Sequence, residues 1–545
     1  MSEVLTTPLP AAGLLDRERT VAGPRFNRWL VPPAALAIHL CIGMAYGFSV
    51  FWLPMSKLLG GTDAALCGSM SFWGQLTTTS CNWSVPSVTH IFEVFIAFLG
   101  ISAAIWGGWL EHAGPRKAGF IAALCWGGGL ILGGLGVSLH QLWLVILGCG
   151  VLGGIGLGLG YISPVSTLIK WFPDRRGLAT GFAIMGFGGG AMIGAPLAVA
   201  LMKHFSAASP QGVAPTLMLM GALYVVIMAA GAFGFRVPPS DWKPSGWTPK
   251  EGGAKSMITD HEVHLNKAWR TPQFWLVWGV LCLNVTAGIG VLSMASPMLQ
   301  DVFGARLIGV DAAATLSAAQ KAAIVAAAGG LVGLISLFNS VGRLFWAALS
   351  DHIGRKATYY TFFILGMALY ASLPTLGHIG AAGLFVVVVC VIMTMYGGGF
   401  STVPAYLADL FGTQMVGAIH GRLLTAWSVA GVAGPFLIAA IRQTQINAGV
   451  AHNLVYDRTL YILAGLLFVG FILNLLVRPV DPKYRMTAEE LAQERALKHE
   501  DRVAGDALHA ARGAFGIVGV LAWAAVGIPF LIGVFIALQK AAVLF

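Results

Sequence analysis

Twelve apolar runs follow one another along the chain at residues 29–55, 88–110, 118–138, 141–165, 177–202, 214–235, 273–300, 321–349, 357–377, 381–405, 418–441 and 456–477, and a thirteenth follows at 514–538. Each is long enough to cross a bilayer, which takes ~20 mostly apolar residues as a helix because the hydrocarbon core offers the backbone no hydrogen-bond partners. The runs are too long, and too free of period-two alternation, to be the strands of a membrane barrel. The expected fold is therefore an all-α polytopic membrane protein. A chain that is 57% hydrophobic and 10% charged, with a mean hydropathy of +0.77, leaves the bilayer as the solvent.

Lys and Arg are retained on the cytoplasmic side of a membrane, so their distribution sets the orientation. With the N-terminus inside, the inner segments through residue 513 hold 25 of the 33 cations, the outer ones hold six, and Arg343 and Lys540 complete the count. The net charge of +10 thus reads as topology. Nucleic-acid binding would require a solvated basic face with stacking aromatics, whereas these cations are scattered over seven inner segments, so no nucleic-acid partner is expected. Residues 1–28 form a cytoplasmic tail without the apolar core of a signal peptide. The expected location is a bacterial inner membrane, with a periplasmic C-terminus after the thirteenth span. Cys67 and Cys81 share a long outer loop rich in Gly, Ser and Thr, where an oxidising periplasm permits a disulfide; the other five cysteines fall inside spans as small packing groups.

Two short charged sequences, Glu111-His112-Ala113-Gly114-Pro115-Arg116-Lys117 and Asp351-His352-Ile353-Gly354-Arg355-Lys356, lie 240 residues apart and divide the chain into similar halves. The organisation expected is a six-helix bundle at 29–235, a Pro-rich cytoplasmic linker at 236–272, a second six-helix bundle at 273–477, a charged segment at 478–513 and an extra transmembrane helix with the C-terminus at 514–545. Within the charged segment, Thr487 followed by Glu490 has the spacing of a capping box that starts a short surface helix. An acid at the end of one helix can accept hydrogen bonds from a neighbouring helix N-terminus or pair with a nearby cation. Such a contact must break when two bundles rock, so Glu111 with Arg116 and Asp351 with Arg355 are candidate latches. Gly186, Gly190 and Gly194 repeat every four residues in span five, a spacing that permits close helix contact, and span eleven offers a partner in Gly431, Gly434 and Pro435. The glycines from Gly153 to Gly160 are not a phosphate loop: no soluble strand precedes them, no Lys-Ser/Thr ending follows, and they lie inside a span.

The charged doublet resembles the signature loop of the major facilitator superfamily, a G-x-L-x-D-R-x-G-R-K type sequence between helices II and III that is echoed between VIII and IX. Here Glu111 replaces the signature Asp and Ala347 replaces the leading Gly of the second copy. The resemblance covers about residues 29–477. Within that superfamily, Trp171-Phe172-Pro173-Asp174-Arg175-Arg176-Gly177-Leu178-Ala179-Thr180-Gly181 and Phe338-Asn339-Ser340-Val341-Gly342-Arg343 look like the oxalate/formate antiporter family. The resemblance implies two pseudo-symmetric six-helix bundles, transport by alternating access, and latches that help hold an outward-open state.

Arg343 is the one fixed cation in the bilayer interior, and such a group is costly unless it is paired or faces a cavity on a substrate path. Its planar fork of donors fits a carboxylate through two bonds. Asn339, one turn earlier on the same face, can add a neutral hydrogen bond, and Ser336 continues the polar stripe. The competing reading is that Arg343 snorkels to the cytoplasmic surface, ~10 Å away at 1.5 Å per residue. Members of the oxalate type carry an arginine in this helix that engages the substrate carboxylate, and a lysine in helix XI for a second carboxylate. In this chain Trp427 stands where that lysine is expected. One cation in place of two points to a monoanion such as formate, lactate or pyruvate, with oxalate disfavoured.

Tyr46, Tyr161, Tyr396 and Trp427 lie in the helices expected to line the centre, each with an apolar wall and a polar edge. Glu93 and His39 are the candidates for proton coupling, against the alternative of anion exchange. No metal cluster, nucleophile triad or nucleotide loop is visible, so neither a cofactor nor an enzymatic activity is expected. The expectation is a monomeric secondary carrier whose partners are a small organic anion and the bilayer. A non-transporting sensor on the same fold, and a drug or sugar carrier in which Arg343 is structural, are the alternatives.

Overall fold

The computed structural model describes residues 13–541 except 24, 60–66, 68–69, 240–241, 248–256, 260, 305–308, 310–316, 452 and 498–514. Part of the expected linker and the second half of the expected charged segment, from residue 498, therefore lie outside the described residues. Thirteen helices are long and apolar enough to cross a membrane. They are α1 (Arg28–Met55), α2 (Val85–Ala113), α3 (Pro115–Ser138), α4 (Leu142–Trp171), α5 (Arg176–Phe205), α6 (Pro210–Gly234), α7 (Pro272–Phe303), α8 (Ala318–Ile353), α9 (Arg355–His378), α10 (Ala382–Phe411), α11 (Val416–Asn447), α12 (Asp457–Leu476) and α13 (Gly516–Ala541). Most extend a few residues beyond the apolar runs, because helices continue into the interface until a cap or a glycine stops them.

Helices α1–α6 form one bundle and α7–α12 the other; α5 packs along α8 and α2 along α11 to make the two long seams between them. The two charged loops have the same geometry. Gly114 closes α2 and Gly354 closes α8 with φ of 87° and 88°, in the left-handed region that an L side chain resists, so each helix stops there and the next begins at once. We call the side carrying these loops the basic face.

Glycines of α5 work on two sides. Gly190 backs onto Gly43 and the Leu40 carbonyl of α1, so closely that a methyl group at Gly190 would overlap them, while Gly181 and Gly188 face α8. Span eleven is not the partner expected for them: Gly431 meets Ile96 of α2, and Gly434 meets α7. Where α1 runs against α5 it tightens to a 3-10 helix over Gly43–Phe51, the stretch that carries Tyr46.

The outer loop is tied by a Cys67–Cys81 disulfide, and Trp83 stacks on His140 beside it at 4.4 Å. Thr487 and Glu490 form the reciprocal bonds of a capping box, starting the tail helix Ala488–Leu497. Lys267 pairs with Glu490 at 2.7 Å. Glu494 accepts from His112 and His264, at 3.2 Å each, and so docks the tail helix on the basic face. The extra helix α13 lies in the groove where α1, α5 and α8 meet. Trp523 Nε1 donates to the Trp29 carbonyl at 3.1 Å, and Phe530 covers Gly189.

Candidate functional site

Arg343 is fully buried at the seam between the bundles. Its Nε donates to Asn339 Oδ1 at 3.1 Å, one turn back on α8, and its Nη1 crosses to the Ile184 carbonyl of α5 at 3.2 Å. Phe187 and Phe400 flank the guanidinium, with ring centroids 5.6 and 5.2 Å from Cζ. The side chain therefore points into the protein and does not snorkel. Ser336 takes no part, since its hydroxyl returns to the Val332 carbonyl of its own helix.

An aromatic box closes over this cation. Trp427 of α11 sits at its middle, with ring centroids 4.6 Å from Phe400, 5.2 Å from Phe187, 5.4 Å from Tyr161 and 6.2 Å from Tyr46. The Tyr46 and Tyr396 hydroxyls share a 2.8 Å hydrogen bond that joins α1 to α10 across the seam. His39 meets Tyr161 edge-on at 5.2 Å, and His420 lies on the other flank of Tyr161 at 5.8 Å.

The structure thus brings Arg343, Asn339, Tyr46, Tyr161, Tyr396, Trp427 and His39 into one buried cluster. Glu93 lies elsewhere, half exposed on α2 and bonded to His90 at 2.8 Å. Phe187, Phe400 and His420 escaped the sequence reading. The first two each directly adjoin a glycine tract, Gly188–Gly190 and Gly397–Gly399, where backbone closeness rather than a polar group carries the signal. His420 was overshadowed by its place at the start of a span.

Beyond the Arg343–Asn339 and Tyr46–Tyr396 bonds, several polar atoms of this cluster are left over. Arg343 Nη2, the Tyr161 hydroxyl, Trp427 Nε1 and both ring nitrogens of His39 and of His420 are buried with no hydrogen-bond partner among the described residues. Among those residues no carboxylate pairs with Arg343 either. A buried unsatisfied polar group costs ~1–3 kcal/mol, and an unpaired charge costs more. The two aromatic faces return only part of that. Chemically, the arrangement is a buried set of donors and acceptors built around one positive charge.

Between this centre and the basic face the bundles are locked by two reciprocal contacts. Asp351, at the end of α8, accepts from the backbone N–H groups of Gly177 and Leu178 at the start of α5, at 2.9 Å each, and pairs with Arg355 at 2.6 Å. Arg176 and Arg355 also meet Asp409, at 2.9 and 3.1 Å. In the other half, Glu111 at the end of α2 accepts from the Gly417 N–H at the start of α11 at 2.9 Å, from Ser166 at 3.1 Å, and from Lys170. An anionic side chain at a helix N-terminus satisfies orphan donors and meets the positive end of the helix dipole.

The expected pair Asp351–Arg355 forms, but the expected pair Glu111–Arg116 does not. Gly114 turns the chain so that Arg116, on the first turn of α3, faces the Leu14 and Phe235 carbonyls, and Lys170 of α4 serves Glu111 in its place.

Two pseudo-symmetric six-helix bundles that meet over a buried polar centre define a membrane transporter of the two-bundle type, not an enzyme. The chain belongs to the Major Facilitator Superfamily, whose family pattern matches residues 35–435. It is 28% identical over 453 residues to an oxalate:formate antiporter of Oxalobacter formigenes, covering 81% of this chain and 96% of that one. It is 26% identical over 472 residues to apicoplast pyruvate carrier 1 of Toxoplasma gondii, covering 75% and 82%. Among solved structures, a bacterial homologue of the iron transporter ferroportin in its outward-facing state superimposes with a TM-score of 0.54 at 14% identity, covering 82% of this chain and 98% of that one.

Proposed function

We propose that this protein is a secondary carrier that moves a small organic monoanion, a monocarboxylate such as formate, lactate or pyruvate, through a bacterial inner membrane by alternating access. The observation that carries the reading is the fully buried Arg343, with Nη2 unpartnered and no carboxylate beside it. The names of the relatives, an oxalate:formate antiporter and a pyruvate carrier, support the substrate class. Trp427 rather than a lysine on α11 supports one carboxylate rather than two.

In this reading the substrate carboxylate binds Arg343 through Nη1 and Nη2 while Asn339 holds Nε. Taking Nη1 draws it from the Ile184 carbonyl, so binding weakens a contact between α5 and α8 and gives the substrate a differential affinity for two bundle arrangements, which is what drives a conformational change. The Tyr46–Tyr396 bond then opens on one side, or the Glu111 and Asp351 contacts on the other. The basic face is cytoplasmic. Anion exchange and proton symport are the two coupling modes, with His39 the proton carrier in the second, since it adjoins the aromatic box and Glu93 does not.

The test is uptake of labelled formate, lactate, pyruvate and oxalate into proteoliposomes, with and without internal anion and with and without an imposed pH gradient. Monocarboxylate flux exceeding oxalate flux is expected; no anion flux sinks the carrier reading. Arg343→Gln should reduce uptake by roughly 30-fold to a few thousandfold, because removing one partner of a buried charge pair costs ~2–5 kcal/mol at ~1.4 kcal/mol per factor of ten. Unchanged uptake in that variant would falsify the assignment of the site.

A further inference from the structure

Arg116, released from the pairing expected of it, belongs to a cluster of cations without a counter-charge. Its Nη2 and the Nη1 of Arg236 both donate to the Phe235 carbonyl, at 3.5 and 2.8 Å, so the two guanidinium groups converge on one oxygen just beyond the end of α6. Arg19 and Arg236 are the neighbouring charges that bear on Arg116, and both are of like sign. Arg116 is only 4% exposed, and its Nε has no hydrogen-bond partner among the described residues. Among those residues no acid pairs with any of the three arginines. Capping the last carbonyls of α6 accounts for one cation, and Arg236 Nη1 already does this through the carbonyls of Phe233 and Phe235. Arg116 has only neutral partners, the Leu14 and Phe235 carbonyls and the Phe233 ring 5.8 Å from its Cζ, so its charge is left without an acid.

Arg236 is also the charged end of an otherwise apolar groove of about 640 Å³ between α1, α5, α6 and α13, whose walls include Leu30, Ala37, Ile193, Ile227 and Val526. This volume lies within the ~300–1,000 Å³ of sites that hold bound small molecules. The extra helix makes one wall, so the groove exists only because α13 docks beside α1 and α5. An apolar groove that ends at Arg236, with Arg116 donating to the same Phe235 carbonyl and no acid paired with either among the described residues, has the form of one amphiphile: an anionic head and a hydrocarbon tail.

We propose that this groove is a binding site for an anionic glycerophospholipid of the leaflet at the basic face, with its phosphate on Arg236 and Arg116 and one acyl chain in the groove. The fork of an arginine suits a phosphate, and the charge deficit selects an anionic headgroup over a zwitterionic one. The site is independent of the Arg343 cluster.

The test is native mass spectrometry of the purified full chain with added phosphatidylglycerol, phosphatidylcholine or palmitate. The wild-type protein should retain phosphatidylglycerol about tenfold more tightly than phosphatidylcholine. The double variant Arg116→Gln/Arg236→Gln should lose that preference, and Ala525→Trp, which fills the groove from α13, should lose retention of both lipids. Equal retention of the two lipids by wild type, a preference that persists in the double variant, or retention unaffected by Ala525→Trp each overturns the proposal. Palmitate held as tightly as phosphatidylglycerol overturns it in favour of a free fatty acid. If the double variant does not fold, Arg236→Gln alone and Ala525→Trp carry the same decision.

Discussion

Replacing Asp351 with Asn tests the gate where its energetics are best defined. Of the three bonds to this carboxylate, the one from Arg355 stays within its own bundle, while those from the Gly177 and Leu178 N–H groups cross the seam and must break for the basic face to open. Hydrogen bonds to a charged acceptor contribute ~1.5–3 kcal/mol each. The Asp351 side chain is 15% exposed, so solvent screens it only slightly. An asparagine keeps one acceptor oxygen and loses the charge, forfeiting about one such bond. The equilibrium should therefore shift toward the form open at the basic face by roughly 10- to 150-fold, at 1.4 kcal/mol per factor of ten. Spin labels at Arg175 and His352, exposed residues on the two sides of this contact, give the readout by pulsed electron resonance. A longer distance population should grow in the variant at the expense of the short one. An unchanged distribution would show that the contact does not hold the bundles together, and the gating argument would fail with it.

Two further outcomes are expected. In Gly417→Ala the new methyl group would press on the Glu111 carboxylate and Ser166, so the second contact should weaken by about 1–3 kcal/mol, seen as faster labelling of a cysteine placed at Thr413, just before α11; unchanged labelling contradicts the close fit. Cys81→Ser should lower the melting temperature of the detergent-solubilised protein, since closing a loop of this size contributes up to ~3 kcal/mol. It should leave Arg343-dependent uptake intact; loss of uptake at an unchanged melting temperature would mean that the loop serves transport directly.

The membrane-spanning order was legible in the sequence because burial in lipid leaves a signal tens of residues long, which local packing cannot erase. Arg343 was legible for the related reason that a charge among apolar residues has few explanations. Contacts depending on where the chain turns were not. Glu111 and Arg116 stand five residues apart, with Pro115 after the glycine, and Asp351 and Arg355 four; only the second pair forms, while Lys170 of α4 reaches Glu111 and Arg116 donates to the Phe235 carbonyl. Sequence offsets within a loop carry no record of a third helix. The partners of the α5 glycines escape the sequence on the same grounds: a four-residue repeat shows that a helix approaches closely, but not which one.

The two helix-capping contacts across the seam are exchanged between the halves. Glu111 of the first bundle caps a helix of the second, and Asp351 of the second caps a helix of the first. Residue i meeting j while the equivalent of j meets the equivalent of i is the isologous pattern of a two-fold dimer. Neither half caps its own acid with a helix end of its own. A single six-helix half with this loop would leave its acid without a helix end to cap until a second copy supplied one, so the covalent chain preserves, as an internal contact, the interface that would hold two separate halves together.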